Sequence, residues 1–260
     1  MTTMMPTTKK TKTTTLLIDG DILIHRTAAS CEQIVCWDQM EDIWSVTADA
    51  REAKQRVDCE IRWYNDFLEA DKVILCFTAP DNFRLDVADY YKSNRKKQRK
   101  PTIFPELRRY CLDAYRCRVI DRLEADDVMG ILSTSRSIKG TKIIVSEDKD
   151  LLQIPGYVYR PSEEEVRRIT RKQADLWFLT QTLTGDATDG YPGLPGCGPK
   201  TAAKILEVGC WDEVVQAYEK KGLGEDEAIR QARLARILRT TEFNLRTKKL
   251  KLWTPERRTA

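Results

Sequence analysis

Histidine is almost missing from this chain: His25 stands alone among 260 residues. Its eight cysteines (Cys31, Cys36, Cys59, Cys76, Cys111, Cys117, Cys197 and Cys210) never form a Cys-x-x-Cys pair. Structural zinc wants closely spaced Cys or His ligands, so no such site is expected. A covalent Cys–His mechanism is equally poorly supplied, because nothing pairs His25 with a particular thiol. No apolar run approaches the roughly 20 residues that cross a bilayer, and no membrane association is expected. Residues 1–15 are rich in Thr and Lys with no apolar stretch before Leu16, which reads as a flexible tail rather than a secretory signal. Reduced thiols in a cytoplasmic protein follow from that reading.

What is present fits a soluble globular chain of one large domain or two small ones, with 41% apolar residues. The net charge of +4 conceals segregation: Lys92, Arg95, Lys96, Lys97, Arg99 and Lys100 form a run with no acid among them. Apolar runs at Thr15–Ile18, Val73–Phe77, Arg118–Ile120 and Lys142–Val145 read as buried parallel strands. Helical stretches such as Ala50–Leu68 and Ala125–Ser135 separate them, predicting an α/β fold with a mostly parallel central sheet flanked by helices. Beyond Gln173 the pattern turns helical over Gln173–Leu183, Lys200–Glu207, Trp211–Lys220 and Asp226–Leu245. The expected organisation is therefore a tail over 1–15, an α/β core over 16–172 with a basic arch around 84–109, and a helical region over 173–260. Trp177, Phe178, Trp211 and Trp253 are expected to fill the core of that last region rather than stack on bases.

Acids follow three of the predicted strands in tight groups: Leu17-Ile18-Asp19-Gly20-Asp21, Leu123-Glu124-Ala125-Asp126-Asp127 and Val145-Ser146-Glu147-Asp148-Lys149-Asp150. Side chains at the carboxyl ends of parallel strands converge. A fourth group, Gly185-Asp186-Ala187-Thr188-Asp189-Gly190, places two carboxylates three residues apart. Any one such acid is most often a helix cap or a solvated charge; four groups converging would repel unless cations neutralised them. Oxygen-only donors suit Mg²⁺ or Mn²⁺, and two such ions support phosphodiester hydrolysis. Directly beside Asp186 and Asp189 stands Gly193-Leu194-Pro195-Gly196-Cys197-Gly198-Pro199-Lys200, a turn opening a helix whose free amides suit a DNA phosphate, with Lys200 and Lys204 adding charge. The combination points to cutting nucleic acid.

These motifs, in this order from about Leu16 to Leu206, resemble the 5′-nucleases: flap endonucleases, the 5′-nuclease domains of bacterial DNA polymerases, and phage 5′→3′ exonucleases. Phe83-Arg84 and Tyr91-Lys92-Ser93-Asn94-Arg95 resemble the family's Phe-Arg and Tyr-Lys-Gly-Asn-Arg elements. The resemblance implies metal ligation by Asp19, Glu124, Asp126, Asp127, Asp148, Asp150, Asp186 and Asp189. It also implies phosphate contacts from Lys92, Arg95 and Arg26, and base stacking by Tyr91. Arg84, Lys96, Lys97, Arg99, Lys100, Gly196, Gly198, Lys200 and Lys204 would meet DNA, with Gly193–Leu206 as a helix-hairpin-helix that in this family also takes K⁺. The implied activity is two-metal 5′→3′ hydrolysis of duplex DNA at a 5′ end, nick or flap. The resemblance further implies an RNA–DNA hybrid as substrate, and a single-strand DNA-binding protein or replication proteins as partners. The short length and the wording Ser93 to Pro101 most resemble the stand-alone exonucleases of short-tailed phages, which implies the host cytoplasm.

One departure stands out: Thr78 occupies the position after the second predicted strand where many members carry Asp, with Asp81 three residues on. Two other readings are set against the nuclease. The Leu194–Ala202 turn is also similar to the hairpin of helical DNA glycosylases, and an incomplete metal site would leave a DNA-binding scaffold. Arg230, Arg233, Arg236 and Arg239, every three residues along a predicted helix, either extend a duplex-binding face or form a solvated flank.

Overall fold

The computed structural model describes residues 13–41, 43–97 and 99–255, with the side chains of Lys96 and Lys97 also outside the description. Most of the expected tail thus lies outside it, and Thr14 already opens the first strand. In chain order the elements are β1 (Thr14–Asp19), α1 (Gly20–Ser30), β2 (Glu32–Asp38), β3 (Ile43–Ala48), α2 (Ala50–Phe67) and β4 (Lys72–Phe77). Next come α3 (Arg84–Val87), α4 (Phe104–Ala114), β5 (Cys117–Val119), α5 (Ala125–Thr134), β6 (Thr141–Val145), β7 (Gly156–Arg160) and β8 (Glu165–Ile169). The chain ends in α6 (Arg171–Thr184), α7 (Pro199–Ile205), α8 (Trp211–Glu219), α9 (Glu225–Ala235), β9 (Phe243–Asn244) and β10 (Lys249–Leu250).

The main sheet runs β5-β4-β1-β6-β7-β8 and is parallel except for β8, which returns antiparallel to β7. A parallel sheet is stable only with both faces covered, and β1 shows it: Leu16, Leu17 and Ile18 are all buried. Leu16 and Ile18 pack with Leu23, Ile24, Val57, Ile61 and Leu107 of α1, α2 and α4. Leu17 faces the other way, onto Val128, Met129 and Ile131 of α5. The four predicted strands are β1, β4, β5 and β6, each within a residue or two of its expected bounds.

Two hairpins were not anticipated. β7–β8 extends the sheet, while β2–β3 forms a separate two-stranded ribbon. The larger correction concerns the last predicted helix. It ends at Ala235 instead of Leu245, because Arg236 turns extended and Ile237, Leu238 and Phe243 go into the core beside α5. Arg236 pairs with Glu242, and Arg239 with Asp175, both guanidinium groups being buried. Neither is a surface flank or a duplex contact. Helices α6 to α9 share a core of their own, in which Phe178, Leu183, Leu194, Ala202, Val214 and Tyr218 meet Ala88 and Tyr91 from the segment after α3. Trp211 and Trp253 pack against this core with ring centroids 4.8 Å apart, as expected of interior aromatics.

Candidate active site

The parallel strands deliver their acids to one rim. Asp19 ends β1 and caps α1, accepting from the Ile22 amide at 3.0 Å. Ser146, just after β6, donates its hydroxyl to the other Asp19 oxygen at 2.9 Å and accepts from the Asp148 amide at 3.1 Å. Asp148 in turn accepts from the Asp150 amide at 2.8 Å, which fixes the short helical turn Lys149–Gln153. Glu124 caps α5 and sets Asp126 in its first turn. Asp186 accepts from the amides of Thr188 and Asp189, at 2.6 and 3.0 Å. The loop carrying this pair closes on itself between Gly185 and Gly193, both at positive φ. A Cβ on Gly193 would lie 2.3 Å from the Gly185 nitrogen, so only glycine permits that closure.

The electrostatics show that these groups form one cluster. Burial, with Asp21 and Asp148 adding repulsion, pushes Asp19 up to about 7. Burial and the charges of Asp148, Asp186 and Asp189 likewise push Asp150 up to about 7. Asp126 is raised well above the carboxylate range by burial and then by Asp148, Asp19 and Glu124. Asp148 is also raised, by burial first and by Asp189 and Asp186. Glu124 is the exception: burial alone would raise it, yet Lys92 and Arg84 beside it hold it down at about 2.

The chain's own cations reach in from the segment after α3. Lys92 pairs with Glu124 and stands 3.5 Å from Asp189. Arg95 binds Asp189 at 2.7 Å and the Thr188 carbonyl at 3.0 Å. Asn94 holds the Ala187 carbonyl at 2.9 Å, so this segment is stitched to the Asp186–Asp189 loop. Lys92 itself adopts φ +54, a left-handed backbone that costs a non-glycine residue energy and is held here by its neighbours. Arg26 lines a small cleft with Asp19 and Ser146, and is paired there with Glu60 and, at 3.8 Å, Glu147.

Three expected assignments need correction. Arg84 is buried and binds Asp127 through both terminal nitrogens, at 2.7 and 2.9 Å, as well as Glu124 at 3.1 Å. It is therefore no DNA contact. Asp127, fully buried, also accepts from the Leu238 amide at 3.0 Å, so it is a structural counter-ion rather than a metal ligand. Tyr91 is buried with its hydroxyl at 3.0 Å from Glu124 and 2.8 Å from Asp189, which leaves its ring no base to stack on.

The remaining basic residues are peripheral. Arg99 forms a two-pronged pair with Glu32 of β2, at 2.8 and 2.7 Å, and Lys100 lies 4.9 Å over the Phe104 ring. Gly196 and Gly198 are exposed just before α7, Lys200 in its first turn and Lys204 in its last. Asp81 is exposed, while Thr78 accepts from the Ala125 amide at 3.0 Å. Sequence reasoning missed Ser146, whose only signal was its place within the acidic group after β6.

Among the described residues, no three His, Cys, Asp or Glu side chains as placed enclose an ion. The donor set nonetheless suits a hard divalent cation: it is all oxygen, its members repel one another, and one Asp150 oxygen is buried with no hydrogen-bond partner. No described helix is long and apolar enough to cross a membrane.

Comparison with known proteins adds a family profile described as 5′-3′ exonuclease, N-terminal resolvase-like domain, which matches residues 14–175. The chain is 31% identical to the exodeoxyribonuclease of Enterobacteria phage T3, over 92% of each chain. It is also 31% identical to the exonuclease of Escherichia phage T7, over 92% of this chain and 93% of that one. In fold it is similar to the T5 D15 protein co-crystallised with metal ions, with a TM-score of 0.64 at 16% identity over 85% of this chain and 88% of that one. A T5 D15 flap endonuclease in a pseudo-enzyme-product complex with DNA and metal ions aligns with a TM-score of 0.65 at 14% identity, over the same shares, 85% and 88%. An α/β sheet with acids on its rim is not the helical scaffold of a glycosylase, and that reading is set aside.

Proposed function

Because the chain belongs to the 5′-3′ exonuclease family, we propose that it is a divalent-metal-dependent phosphodiester hydrolase that works 5′→3′ from ends, nicks or flaps of duplex DNA. The observation that carries this reading is the meeting of Asp19, Glu124, Asp126, Asp148, Asp150, Asp186 and Asp189 on one rim, with Lys92 and Arg95 reaching into it. Those seven acids would hold Mg²⁺ or Mn²⁺, and two such ions supply activation of water and stabilisation of the leaving oxygen. Lys92 and Arg95 position the scissile phosphate and take up its growing negative charge, each donor being of the kind worth about 10²–10³ in rate. Tyr91 and Glu124 hold Lys92 at the rim, and Arg26, opening on the same cleft as Asp19, contacts a neighbouring phosphate.

The 173–260 region handles the duplex. The exposed turn at Gly196–Gly198 with Lys200 and Lys204 acts as a helix-hairpin-helix anchor on the DNA backbone, where carbonyl oxygens also suit K⁺. By the charge of the sequence alone, Lys96, Lys97, Arg99 and Lys100 receive the 5′ strand. Flaps and the RNA strand of an RNA–DNA hybrid are substrates of the same centre, and replication proteins are its partners in the host cytoplasm.

A duplex labelled at one 5′ end tests the reading. Mg²⁺-dependent early release of the label as mono- or short oligonucleotides is expected, and Asp186→Ala should abolish it. DNA binding without cleavage in either Mg²⁺ or Mn²⁺ would leave only a scaffold.

A further inference from the structure

Of the three strands at the centre of the sheet, β1 and β6 carry their own acids at the carboxyl end, Asp19 and Asp148, whereas β4 runs out into Thr78. Thr78 has little to offer a ligand. Its amide, carbonyl and hydroxyl oxygen are each engaged, the last two by Arg108 at 2.8 Å and by the Ala125 amide at 3.0 Å. The amide donates to Asp21, whose carboxylate crosses from the first turn of α1 to the end of β4 at 2.8 Å.

We infer that Asp21 is a further carboxylate of the metal-holding rim, filling from α1 the place that β4 leaves without an acid. The backbone makes this crossing possible. Asp19 pairs in register with Cys76 of β4, and a Cβ on Gly20 would lie 2.5 Å from the Phe77 ring and 2.9 Å from the Cys76 carbonyl. Any residue larger than glycine would push α1 off the strand end and carry Asp21 away from Thr78. The first turn is thus seated directly on β4, with Asp21 between Asp19 on one side and, through Thr78, the Ala125-Asp126 start of α5 on the other. Only one Asp21 oxygen is used by the cap. Among the described residues the other makes no hydrogen bond, and the side chain is half-buried rather than solvated. A hard divalent cation keeps several of its waters, so a carboxylate one water away still tunes its affinity.

This inference rests on the metal-centre reading above, and direct ion binding separates the two. The full chain, stripped with EDTA, is titrated with Mn²⁺ by calorimetry alongside Asp21→Asn, which keeps the acceptor for Thr78 and removes the charge. Wild-type protein that takes up no Mn²⁺ sinks the centre and this residue with it. With wild-type binding in place, D21N is expected to unfold at the wild-type temperature and to bind Mn²⁺ about 10–100-fold more weakly, the scale of an outer-shell ligand loss. Moving the carboxylate onto β4 in the pair D21N/T78D recovers most of that affinity. Unchanged Mn²⁺ affinity in D21N, or a loss that the pair leaves unrepaired, overturns the assignment and leaves Asp21 as a cap on β4.

Discussion

Asp150 has one carboxylate oxygen buried without a partner, and burial with three neighbouring acids lifts it from an ordinary 3.8 to about 7. A raised carboxyl binds its proton more tightly in the folded protein than in the unfolded chain. Folding stability therefore falls as pH rises from about 4 towards 7, and the whole penalty is present above that window. In EDTA, the melting temperature of the wild type is expected to drop relative to Asp150→Asn as pH is raised from about 5 to about 8, and Mg²⁺ should close the gap. A scan of thermal unfolding against pH for the two proteins reads this directly; parallel curves would count against a strained carboxylate there. Individual acids such as this one were legible in the sequence, because their grouping after apolar runs announced strand ends. Which acids stay free was not. Asp126 and Asp127 are adjacent in an identical context, yet one faces the rim and the other a buried guanidinium, and only three-dimensional packing separates them.

At the scale of elements, Arg84 is a bolt. From the start of α3 it binds Asp127 and Glu124 of α5 and the carbonyls of Leu234 and Arg236, so three distant stretches of chain meet on one side chain. Its removal strands the buried Asp127 carboxylate. Arg84→Ala is expected to cost about 3–5 kcal/mol in urea unfolding and to expose the 236–250 segment to protease; a loss below 1 kcal/mol would show the network to be dispensable. The same bolt explains the misplaced end of α9. Arginines every third residue imitate a helix flank, and periodicity cannot distinguish a guanidinium paired inward with Glu242 from one paired with water. The β7–β8 and β2–β3 hairpins escaped for another reason. β8 lies at the sheet edge and β2 and β3 in a ribbon, where Arg167 and Arg168 or Glu32 and Asp38 interrupt the apolar run that marks a central strand.

For the whole molecule, the net charge is small but the charges are segregated. Six bases stand together between Lys92 and Lys100 with no acid among them, and Lys200 and Lys204 are exposed on α7, so positive charge is offered to a polyanion in patches rather than evenly. Binding to duplex without divalent metal should weaken linearly on a log–log scale with added salt. Lys200→Ala and Lys204→Ala are each expected to lower the slope by about 1 without altering any sequence preference, as anisotropy titrations would record. Slopes equal to wild type would remove α7 from the interface.

The path of the chain after α9 also has a meaning in time. Ile237, Leu238 and Phe243 complete the layer that covers α5 and one face of β1, yet they are synthesised long after both. A growing chain exposes that face until they emerge from the ribosome. A nascent chain that stops short of them carries the rim acids without the layer that packs behind them.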